Sequence, residues 1–172
     1  LSDNGYELWV SDGSAAGTVE VLDLNGGSSG MDGGTTGNIA ALGDSGKVVF
    51  VADNGSAGQE IWVSDGTAVG TMMLKDIQAG AGASFPGSLT SVGDLVYFAA
   101  TSAEGGSELW VTDGTTAGTR QVADINPGLG GGIVDLMGIL DVNAAPEMLA
   151  LSGSTVTENR PSGTVVGTLS AQ

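Results

Sequence analysis

The 172-residue sequence carries 20 acidic residues against four basic ones, a formal charge of −16, and has neither His nor Cys. That balance excludes phosphate backbones and anionic lipid as main partners. It also leaves no imidazole or thiolate for catalysis or metal ligation, and no disulfide framework. Aromatics are only 5% of the chain, and its 31 glycines sit at the ends of apolar stretches without a G-X-Y period. A core of small and β-branched side chains joined by glycine turns is expected.

The first element is "ELWVSDGSAAGT", residues 7–18. Period-two alternation sets Leu8 and Val10 on one strand face, and Glu7 and Trp9 on the other. Asp12 then suits an Asx-turn, Gly13 and Gly17 suit positive φ, and Thr18 restarts a strand. Next come "GNIAAL" (37–42) and "GKVVFVAD" (46–53), then "EIWVSDGTAVGT" (60–71) leading into "GTMMLKDI" (70–77). A third passage repeats the order, with "PGSLTSV" (86–92), "DLVYFAAT" (94–101), "ELWVTDGTTAGT" (108–119) and "GTRQVADI" (118–125). Aromatic and β-branched residues fill these runs, Gly and Asp punctuate them, and no helical i, i+3, i+4, i+7 pattern occurs. The glycine-rich stretch 126–132 reads as a linker, because no Lys or helix follows to make it a phosphate loop.

Trp9, Trp62 and Trp110 lie 53 and 48 residues apart, and each precedes an Asp by three positions (Asp12, Asp65, Asp113). A further Asp follows eleven later, at Asp23, Asp76 and Asp124. A period near 50 with four short antiparallel strands per unit is the pattern of a β-propeller blade. The expected fold is therefore all-β, with a half blade at 1–25 and blades at about 36–80 and 84–128. These do not suffice for a closed ring; a stacked or open β-assembly is the structural alternative. Residues 129–145 read as a linker, and the pattern changes over 146–172. No apolar run is long enough to span a membrane, and no signal peptide is evident. The chain opens without Met, immediately before a repeat, and reads as a piece of a longer polypeptide.

The 12-residue pattern followed by "KDI" resembles the bacterial ELWxxDGT repeat family over roughly residues 5–128. The first copy departs from it, with Ser14 for Thr and "LDLNGG" downstream. The resemblance implies tandem propeller-like repeats in large secreted or surface proteins, and names no reaction. From Asp141 onward, "DVNAAP" and "TENRPSGTVVGTLSA" resemble the opening of a cadherin-like domain. That resemblance implies a truncated β-sandwich domain over 146–172 and calcium ligation by Glu158, with Asp141 and Asn143 as linker ligands. Ala144 stands where such domains usually carry an Asp, so the fragment alone would hold Ca²⁺ weakly, the ion wanting six to eight oxygens.

Several site readings follow from residue types. Carboxylate pairs such as Glu60 with Asp65, or Glu108 with Asp113, are the glycosidase arrangement. A repeated motif seldom builds an active site in every copy, and the arginine cluster of a sialidase is missing, with only Arg120 and Arg160 present. Acidic glycine-rich loops at 32–38 and 53–60 lack EF-hand spacing and read as hairpin connections. Trp9, Trp62 and Trp110 could form an exposed row that stacks on sugar rings, or each could pack between neighbouring blades. Packing is the preferred reading. The expectation is a non-catalytic structural or adhesive segment of a secreted or cell-surface bacterial protein, with calcium as its only candidate cofactor. Its partners would be proteins or glycans at a cell surface, or copies of itself, with neither nucleic acid nor membrane insertion. The alternatives are a carbohydrate-binding or enzyme-associated propeller, and a self-assembling extracellular β-structure.

Overall fold

A computed structural model describes residues 6–26, 30–31, 38–128, 130–132, 150–151 and 169–170. The described residues form short antiparallel strands and no helix. β1 (Leu8–Val10) and β2 (Val19–Leu22) make a two-stranded sheet. β3 (Ile39–Ala41), β4 (Val48–Asp53), β5 (Gln59–Ser64) and β6 (Met72–Lys75) follow as a four-stranded meander. β7 (Gly87–Val92), β8 (Leu95–Ser102), β9 (Gly106–Thr112) and β10 (Arg120–Ala123) repeat it in the same order. The chain divides into two compact units, Leu1–Ile139 and Leu140–Gln172. In the second, the described residues are β11 (Ala150–Leu151) paired antiparallel with β12 (Leu169–Ser170).

Each repeat places its strands in equivalent register. Phe50 lies opposite Trp62 across β4–β5, and Phe98 opposite Trp110 across β8–β9. The pairing of third and fourth strands shifts at the same point in all three copies, at Leu8/Trp9, Ile61/Trp62 and between Gln121 and Ala123. The skipped residues are Val21, Leu74 and Val122, so one β-bulge recurs as part of the repeat.

Alternation along β4 and β5 gives the central sheet two apolar faces. Val49, Val51, Ile61 and Val63 join Leu89, Val96, Phe98, Ala100 and Trp110 in one core. Phe50, Ala52 and Trp62 join Leu8 and Val21 in another. The β3–β6 sheet is thus buried between its two neighbours, which explains why β4 reads as a nearly unbroken apolar run. The two four-stranded sheets also meet at their first strands, where the Ser91 hydroxyl donates to the Ala41 carbonyl at 2.6 Å.

Candidate functional site

The polar residues of the repeated motif are the first place to look for chemistry, and each has an internal partner. In the second copy, Asp65 Oδ1 accepts the Thr67 backbone N–H at 2.9 Å and the Thr67 hydroxyl at 2.7 Å. Thr67 Oγ1 in turn accepts the Gly70 N–H, and the Thr71 hydroxyl donates to the Thr67 carbonyl. Ser64 and Thr71 hydroxyls meet at 2.7 Å across the base of the turn. The third copy repeats this set through Asp113, Thr115, Gly118, Thr112 and Thr119. The first copy does so through Asp12, Ser14, Gly17, Ser11 and Thr18.

These hydrogen bonds favour the ionised carboxylate. Asp65 and Asp113 are held below the ordinary 3.8 first by the hydroxyls of Thr67 and Thr115, and Asp12 first by the backbone N–H of Ser14. Gly13, Gly66 and Gly114 adopt φ of 88°, 84° and 80°, as expected for the first glycine of the turn. The second glycine differs from expectation: Gly17 does not take positive φ. A Cβ at Gly17, Gly70 or Gly118 would instead run into the carboxylate of Asp12, Asp65 or Asp113. Close approach to the Asx carboxylate, not backbone handedness, demands glycine there.

The motif glutamate proves to be a clamp between successive repeats. Glu60 is fully buried. Its carboxylate accepts the backbone N–H groups of Ile77, Gln78 and Ser84 at 3.0–3.1 Å and the Ser84 hydroxyl at 2.6 Å. Ser84 then passes its carbonyl to the Thr101 N–H in β8 of the next repeat. Glu108 accepts from Ile125 and Gly132, both at 2.9 Å, and Glu7 from Leu24 and Gly30. Gly30 hands its carbonyl to the Asp53 N–H, as Ser84 does to Thr101. Burial pushes the Glu60 carboxyl above the ordinary 4.5, against the pull of the Ser84 hydroxyl and three backbone donors. The sequence reading missed this role, although the offsets of 17 and 23–24 residues from each glutamate carry it.

Glu60 lies near the start of β5 and Asp65 just past its end, one buried and the other exposed. Five strand steps put them roughly 16 Å apart, whereas paired glycosidase carboxyls stand about 5–9.5 Å apart. The loop at 53–60 is a hairpin turn in which Asn54 Oδ1 accepts the N–H groups of Ser56 and Ala57. Among the described residues, no three acidic side chains gather as a metal-binding group. Asp141, Asn143 and Glu158, the expected calcium ligands, lie outside the described residues, as does Arg160.

The tryptophans do not form an exposed row. Trp62 and Trp110 are only 7% and 6% exposed, each packed toward the preceding repeat, while Trp9 is 50% exposed. Trp110 stacks against Phe98 with centroids 6.4 Å apart, and Lys75 of the preceding repeat sits 5.9 Å from its ring. The buried indole N–H groups of Trp62 and Trp110 have no protein acceptor. Packing therefore holds them rather than a polar contact. Two open clefts flank these interfaces, one of about 210 Å³ beside Trp9 and one of about 380 Å³ beside Trp110, Glu104 and Asp124. Compared with protein-family models, curated proteins and solved structures, the chain finds no match.

Proposed function

We propose that this chain is a non-catalytic structural or adhesive repeat segment of a large secreted or cell-surface bacterial protein, of the ELWxxDGT kind. One observation carries the reading. Glu, Trp and Asp, the three residues that first suggest a site, serve the construction of the repeat itself. The glutamate clamps consecutive repeats, the aspartate closes the turn, and the buried tryptophans fill the interface between sheets. The four-stranded meanders stacked face to face, approaching at their first strands, support blades of a propeller-type assembly without a closed ring. What the repeat leaves outward is an acidic surface and a set of loop tips, suited to protein contacts. Residues 146–172 belong to this reading as the start of a cadherin-like module, with Asp141, Asn143 and Glu158 as calcium ligands on the strength of the resemblance alone.

Beads coated with the purified chain provide the test. They should adhere to cells or to matrix protein, and substitutions at exposed loop tips such as Val69 should reduce adhesion without changing the melting temperature. Glycoside hydrolysis that disappears in a folded Glu60→Gln variant would sink the proposal. A carbohydrate-binding reading rests on Trp9, the exposed indole beside a cleft; protection of Trp9 fluorescence by oligosaccharides would favour it.

A further inference from the structure

We infer that the cleft beside Trp110, between the second and third repeats, binds a basic side chain, arginine before lysine, carried by a partner protein. The inference gives the protein-contact reading above a particular site, and rests on that reading for the kind of guest.

The two sheets that wall the cleft are both four-stranded. Ile77 and Ala79 come from the loop after β6, and Glu104 from the β8–β9 hairpin. Trp110 comes from β9, Gln121 from β10 and Asp124 from just past it. Ile77 and Trp110 are buried and form the inner wall, whereas Glu104 and Asp124 are exposed. The volume of about 380 Å³ falls within the range of ligand clefts, about 300–1,000 Å³.

Comparison of the copies separates what the repeat needs from what this cleft adds. Glu104 stands where the second repeat has Ser56, and Gln121 where it has Met73. The Ser56 hydroxyl donates to Asn54, and Met73 packs into a core. Gln121 instead donates through Nε2 to the Ala123 carbonyl at 3.1 Å, which leaves its side-chain oxygen as an acceptor. Asp23 accepts the N–H groups of Asn25 and Gly26, and Asp76 that of Gly80. Among the described residues nothing donates to Asp124, their counterpart, or to Glu104. Space differs as well. A Cβ at Gly55, on the hairpin of the second repeat, would run into Asn25. Gln78, the counterpart of Asn25, packs against Gly82 and leaves the place beside Ala103 open. Each departure puts an unengaged acceptor or open space where another copy has a filled contact, and all fall on one cleft.

The guest follows from these walls. Two free carboxylates and an amide oxygen call for several donors, and a chain of charge −16 draws a cation. Ile77, Ala79 and Trp110 offer apolar surface to a methylene stem. A guanidinium group combines these features, with five donors in a planar fork that matches carboxylates and with weak hydration. Lys75 already sits 5.9 Å from the Trp110 ring, so the carboxylates rather than the indole face meet the charge of the guest.

Titration of the full chain with a blocked tripeptide, arginine between two glycines, tests this by NMR. The Trp110 indole N–H, which has no protein acceptor, and the Gly105 amide should shift to saturation. The same peptide with citrulline, which keeps the shape and loses the charge, should leave them in place. Glu104→Gln with Asp124→Asn, both exposed, should keep the melting temperature and weaken binding by about tenfold or more. Asp44→Asn with Asp94→Asn removes the same charge from turns at the other end of the sheets, and should weaken it by no more than about twofold. Gln121→Met with Glu104→Ser, the side chains of the second repeat, should abolish the shifts. The inference is overturned if the arginine peptide shifts neither resonance, if citrulline acts equally well, or if the two charge-removing variants weaken binding alike. It is also overturned if calcium chloride or an oligosaccharide saturates these resonances and the peptide does not. A failed titration with adhesion retained removes the cleft alone, and a saturable titration without adhesion removes the adhesive reading alone.

Discussion

The Ser84 hydroxyl donates a 2.6 Å hydrogen bond to Glu60 Oε2, and through it one repeat is fastened to the next. Ser84 also gives its backbone N–H to the same carboxylate and its carbonyl to Thr101. Where Ser84 stands in this junction, the other two carry Gly30 and Gly132, whose N–H groups make the equivalent bond.

Removing an acceptor from this clamp should be costly. Glu60→Gln turns an amide N–H₂ toward backbone donors and leaves buried groups unsatisfied, at about 3 kcal/mol. Glu7→Gln, at a half-buried position with two donors, should cost only about 1 kcal/mol. Urea denaturation of the two variants checks the order. A Glu60→Gln protein as stable as the parent would mean that the desolvation of the carboxylate outweighs its hydrogen bonds.

The turn glycine and its aspartate should behave as one unit. Gly70→Ala displaces the Asp65 carboxylate that accepts both Thr67 donors, at an expected cost of about 1–3 kcal/mol. In an Asp65→Ala background the same change should cost much less, because nothing remains to be displaced. A double-mutant cycle measures this coupling. Additive effects would refute the close-approach explanation for Gly70.

The three tryptophans should separate sharply. Trp110→Ala and Trp62→Ala each empty a core interface and should destabilise by about 3–5 kcal/mol. Trp9→Ala, at a half-exposed position, should change stability by about 0.5 kcal/mol. In quenching experiments Trp9 should account for most of the accessible fluorescence. Equal quenching of all three would contradict the packing described here.

Stability should rise from neutral to mildly acidic pH and decline again at lower pH. Folding raises the Glu60 value above 4.5, so the fold favours the protonated carboxyl. Its contribution is full below pH 4.5 and is lost as pH rises through the raised value. Asp12, Asp65 and Asp113 are held below 3.8, so their contribution is present above that value and is lost as pH falls further. The charge of −16 at pH 7 adds self-repulsion in the same direction as Glu60. Calorimetry should find a higher melting temperature near about pH 5 than near about pH 8, with a shallow decline once the exposed aspartates protonate. Glu60→Gln should flatten part of the upper limb.

The all-β class, the strand positions and the turn chemistry were legible in the sequence. Period-two runs, glycine punctuation and the Asx aspartate are local signals, set by residues a few positions apart. Three near-identical copies made them readable without any long-range information. The role of Gly17 was misread because the carboxylate that crowds it becomes visible only once the turn closes in space. The clamping role of Glu7, Glu60 and Glu108 was not legible, since their donors lie 17 to 24 residues downstream and a hydrogen bond at that range leaves no mark on local pattern. Tertiary structure alone decided which way each indole faces. Identical motifs give Trp62 and Trp110 a preceding sheet to pack against, whereas Trp9 is half exposed among the described residues. Burial is a property of what lies opposite a side chain, and three copies of one motif cannot encode three different neighbours.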